Sequence, residues 1–170
     1  SNRPLSEEEM QDLVASSDAG GRNPVGSVGI FLAVVAALWS VFQVVLASPI
    51  SNVVLPGSVV NNSRQIHLAF AMFLAFAAYP ALKSSPRNYI PIQDWIMGAL
   101  GAFVALYGYF FYDKIVNAGG LADDTDKWIA LGGLLLLFEA ARRALGPAMA
   151  IIATIFLLYV FFGSSERVPE

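Results

Sequence analysis

Gly29–Ala47, GIFLAVVAALWSVFQVVLA, decides the fold class, because it holds no charge and only two polar side chains, Ser40 and Gln43. A hydrocarbon core of roughly 30 Å needs about 20 helical residues, with about 17 as the lower limit. Four more apolar runs follow: Ile66–Leu82, Trp95–Tyr112, Trp128–Phe138 and Ala148–Phe162. The first three of the five meet the limit. The fourth does so only by continuing through Glu139–Leu145, and the last is at the short end. The expectation is an all-α, polytopic helical membrane bundle of four to five transmembrane helices. Its spans are placed at about 25–47, 63–82, 94–112, 128–145 and 147–163, with 164–170 as a tail.

Composition points the same way. Apolar residues make up 56% and charged residues 14%, against about 25% charged in a soluble domain. The absence of cysteine excludes disulfides, thiolate metal sites and cysteine nucleophiles. A formal net charge of −3 with no basic run argues against nucleic acid as a partner. With one histidine, no phosphate-cradling glycine motif and no zinc pair, the chain offers no catalytic constellation, cofactor site or metal ligand set. The acidic stretch Asp123, Asp124 and Asp126 lacks the alternating oxygen pattern of a calcium loop and suits a helix N-terminus instead.

Segment 1–24 is polar and separate. Ser6 and Glu9 have capping-box spacing, flanked by Leu5 and Met10 as a hydrophobic staple. This reads as a short amphipathic helix on the membrane surface or against a partner, or else as a frayed tail. In the spans, Ala33/Ala37, Ala71/Ala75/Ala78, Gly98/Ala102 and Gly101/Ala105 form small-residue ridges where another helix can approach closely. Gln43 reads as an interhelical hydrogen bonder. Prolines 86 and 91 separate the second and third spans, and Asp94 is placed to cap the third. Gly146-Pro147 breaks the last long apolar stretch in two.

Candidate interface or anchoring residues follow from the few polar groups near the spans. Glu139 is spaced to pair with Arg142 and Arg143 on one helix, either as a coupling cluster or as a neutralised corner with both arginines reaching the headgroups. Arg64 and His67, one turn apart, could meet an anionic surface, sense pH or anchor a helix end. Gly98 and Gly101 mark a candidate interface ridge expected to pack against a helix, the chain's own or a partner's. Lys83, Arg87, Arg142 and Arg143 set one side of the membrane as cytoplasmic, with Arg22 on that side as well.

Four strings, in order, are familiar: Asp18–Pro24 (DAGGRNP), Arg64–Phe70 (RQIHLAF) running on to Tyr79–Leu82 (YPAL), Asp94-Trp95, and Glu139–Pro147 (EAARRALGP). They resemble the small, N-terminal membrane region of the fused permease of tripartite ATP-independent periplasmic (TRAP) transporters, in the TAXI branch. The resemblance covers about residues 12–163. It implies a multi-pass protein of the bacterial inner membrane that carries no substrate itself. Such a component braces a large elevator-type membrane component and helps receive a periplasmic substrate-binding protein during uptake of organic anions. It implies no catalytic residues. The chain is then either a separate small component or a piece of a fusion. The alternative from the residues alone is an independent small channel or transporter.

Overall fold

The computed structural model describes residues 21, 22, 24–82, 85–119, 121 and 123–163. Every regular element among them is an α-helix. The expected amphipathic helix near Ser6, residue Lys83 and the tail 164–170 lie outside the described residues.

Helix α1, Ser27–Ala47, ends where Pro49 forces Ser48 into an extended conformation. The connector that follows winds into two short helices, α2 (Ser51–Val54) and α3 (Gly57–Asn61). Helix α4, Ser63–Ala78, starts where the sequence places it but stops short of Leu82. Tyr79, just before Pro80, is extended at φ −112° and ψ 124°.

The third apolar run departs most from expectation. It starts two residues early as α5 (Ile92–Ala105), breaks at Leu106 and Phe111, and continues as α6 (Tyr107–Phe110) and α7 (Tyr112–Asn117). Asp94 is therefore not its N-cap. Pro91 holds that place, and Asp94 stands in the first turn with its carboxylate turned elsewhere.

Helix α8, Asp124–Leu145, runs unbroken through the charged stretch. Asp123 and Asp126 cap it reciprocally, with side-chain oxygens accepting the opposite backbone N–H at 2.8 and 3.2 Å. Acidic residues fill its first turn and Arg142 and Arg143 its last, as the macrodipole favours. Gly146, at φ 83°, makes the corner before α9 (Pro147–Phe162), a backbone state that suits glycine.

Helices α4 and α5 make the tightest pair. Gly98 and Gly101 are buried against α4, where an added Cβ would stand 3.3 Å from Phe73 and 3.1 Å from Met72. Met72 and Phe76 form the core with Ala140 of α8, and Leu68, Met97 and Leu136 pack around them. By length and composition α1 is the one described helix able to cross a membrane, and α4, α5 and α9 are apolar but shorter. Outward faces are apolar too: α1 exposes Ile30, Val34, Leu38, Val41 and Val44, and α9 buries no side chain.

Candidate functional site

The last turn of α4 leaves carbonyl oxygens without intrahelical donors, and a buried arginine answers them. The backbone N–H of Arg22 donates to Ala78 O at 2.6 Å. Its Nη1 donates to Phe76 O and Ala77 O at 3.1 and 3.2 Å, and its Nε to Pro86 O at 3.2 Å. Its Nη2 then pairs with Asp94 Oδ2.

Asp94 joins two arginines from distant parts of the chain. Its other oxygen accepts from Arg143 Nη1 at 2.8 Å. The Arg22, Asp94 and Arg143 side chains are 0, 1 and 3% exposed, so this is a dry ionic triad. Arg143 also donates to Glu139 Oε1 at 2.7 Å, reaches Met97 Sδ at 3.7 Å, and lies 4.9 Å over the Phe76 ring. Arg142 closes the series at the surface. It grips Glu139 with two bonds of 2.8 and 2.7 Å and donates to Ala81 O at 3.1 Å.

Three arginines face two carboxylates, which leaves one positive charge in excess. The sequence joined Glu139, Arg142 and Arg143 correctly, but the picture of both arginines reaching outward fails for Arg143. Asp94 and Arg22 draw it inward, because a buried carboxylate needs its charge matched. Arg22 and Asp94 are the members that sequence reasoning missed. The available signal was that each is a lone charge beside an apolar run, where an unpaired ion is costly.

The other candidates lie apart from this clasp. His67 sits near the opposite end of α4 and ties it to α1: its Nδ1 accepts from Gln43 Nε2 at 2.5 Å and from the Trp39 indole N–H at 3.3 Å. Gln43 is thus the interhelical hydrogen bonder expected. Arg64 is exposed, without an ion pair among the described residues. Gly98 and Gly101 serve the chain's own α4–α5 contact. Between α1 and α4, alanines 33, 36, 71, 75 and 78 line an open groove of about 730 Å³ that ends at Arg22.

Away from the clasp, Lys114 bridges Asp126 and Asp123 at 2.8 and 2.9 Å, and the Tyr107 hydroxyl donates to Asp126 at 2.6 Å. Bonds from Lys114 and then Tyr107 hold the Asp126 carboxyl down at about 2. Lys114, followed by the Asp126 backbone N–H, lowers Asp123 in the same way. Asp126 first, then Asp123 and Tyr107, raise the Lys114 ammonium above its ordinary range. These groups are satisfied by one another and form a solvated brace at the start of α8.

The clasp can hold elements in register, and its excess charge can attract an anion. Compared with known proteins, the chain matches no family model, no curated protein and no solved structure.

Proposed function

We propose that this chain is the small membrane component of a TRAP secondary transporter, set in the bacterial inner membrane as a polytopic helical bundle. It braces the large elevator-type component and helps receive the periplasmic binding protein during organic-anion uptake. One observation carries the reading. The strings behind the TRAP resemblance, far apart in sequence, supply the members of a single cluster that runs from the interior to the surface: Arg22, the Ala81 carbonyl, Asp94, and Glu139 with Arg142 and Arg143. The buried members are spent on one another and on backbone carbonyls, which suits a rigid support rather than a substrate path.

The lipid setting is supported by the outward apolar side chains of α1 and α9, since soluble monomers rarely expose patches beyond a few hundred Å². Helix α4, at 16 residues, reaches about 24 Å. That falls short of the full core, and local bilayer thinning or flanking helix can make up the difference. The alanine-lined groove between α1 and α4 is the surface offered to a partner helix.

Co-expression with a large TRAP component tests this. The two should co-purify in mild detergent, and Ala33→Leu/Ala71→Leu, at groove positions outside the core, should reduce recovery of the complex while the chain stays folded. Failure of the wild-type chain to co-purify would reject the brace.

A further inference from the structure

We propose that the corner between α8 and α9 is a binding site for one anionic phospholipid, its phosphate on Arg142 and one acyl chain along α9. Arg142 is the surface member of the clasp, with its side chain 39% exposed. It uses Nε and Nη2 on Glu139 and Ala81, and its Nη1 has no hydrogen-bond partner among the described residues. The cluster carries one positive charge in excess, and Arg142 is its one arginine at the surface. Helix α9 begins beside it at Pro147 with no side chain capping its N-terminus, which adds the positive end of the macrodipole.

From Arg142 a groove of about 300 Å³ runs along α9, lined by Pro147, Ala150, Ile151, Thr154 and Ile155. The one hydroxyl there is turned away, because Thr154 Oγ1 donates to Ala150 O at 2.7 Å. The wall is therefore apolar below a cationic mouth. Pro147 to Ile155 rises about 12 Å, close to the depth of one leaflet, about half of a 30 Å core. A cationic head and an apolar trough one leaflet deep match a lipid and not a soluble anion. Basic pockets at the cytoplasmic side of membrane helices take acidic headgroups for the same reason. The site rests on the membrane setting proposed above but not on the transporter assignment.

The test is thermal unfolding of the purified chain in neutral detergent with added dioleoyl phosphatidylglycerol or dioleoyl phosphatidylcholine. Phosphatidylglycerol should raise the midpoint in a saturable way and phosphatidylcholine should not. Arg142→Gln should weaken phosphatidylglycerol binding about fivefold, the worth of one basic residue at an anionic surface. Thr154→Phe, at an exposed position where folding is spared, should fill the trough and weaken it without changing charge. Equal shifts with the two lipids, full reproduction by inorganic phosphate, or no change in either variant would overturn the site alone. Recovery of the chain as a monomer without detergent would overturn the membrane setting and the site together.

Discussion

Asp94 illustrates how one carboxylate can decide the burial of two arginines. Removing one partner of a buried pair costs about 3–5 kcal/mol, because the remaining charge stays in low dielectric. Asp94→Asn should therefore destabilise the chain by about that much in detergent unfolding, leaving Arg22 and Arg143 facing a neutral amide. Arg142→Gln should cost no more than about 1 kcal/mol, as expected for a partly exposed pair. Equal losses from the two substitutions would contradict the burial described for Asp94. The Lys114 cluster makes a pH prediction. Asp126 is depressed in the folded chain, so its contribution is present above the ordinary carboxylate value and fades as pH falls toward about 2. Lys114 is raised, so its contribution persists below about 10.4 and disappears only at more alkaline pH. The brace should hold from about pH 4 to 10. Infrared titration of the carboxylates should find Asp126 protonating near 2, and a midpoint near 4 would exclude the bond to Lys114.

Among elements, the α4–α5 pair decides which helix the glycine ridge meets. The ridge bearing Gly98 and Gly101 meets Phe73 and Met72 of the same chain, so a large side chain there harms the fold before any partner is involved. Gly101→Leu should lower the stability of the isolated chain by about 1–3 kcal/mol, the usual cost of overpacking. Thermal unfolding of the purified variant checks this, and an unchanged midpoint would mean that the two helices do not pack through glycine. Assembly defects in such a variant would then be read as secondary. Alanines 33 and 71, on the groove side and outside the core, are the better probes of a partner.

For the whole molecule, charged and apolar surfaces are kept apart. Charged groups gather at the clasp and at the Lys114 corner, and the intervening faces are apolar. Reconstituted alone in liposomes, the chain should give no ion or organic-anion flux above protein-free vesicles. Flux from the isolated chain would favour an independent channel over a brace. Helix α9, which buries no side chain, is the element with most surface left to lipid or a partner.

Local chemistry made much of this protein legible in the chain itself. Uncharged runs announced helices, Pro86 and Pro91 separated the second from the third, Gly146-Pro147 marked the corner, and the i+3 and i+4 spacing joined Glu139 to its arginines. The second run, however, continues past Pro80, where α4 has already ended. The breaks at Leu106 and Phe111 carried no proline to signal them, and the one glycine between them, Gly108, lies inside α6 and not at either break. The larger omission was the pairing of Arg22 and Arg143 with Asp94, across 72 and 49 positions. Spacing along a chain reports only neighbours on the same helix. Which isolated charges share a dry site depends on the helix ends being brought together, and packing through Gly98, Gly101 and Phe76 decided that.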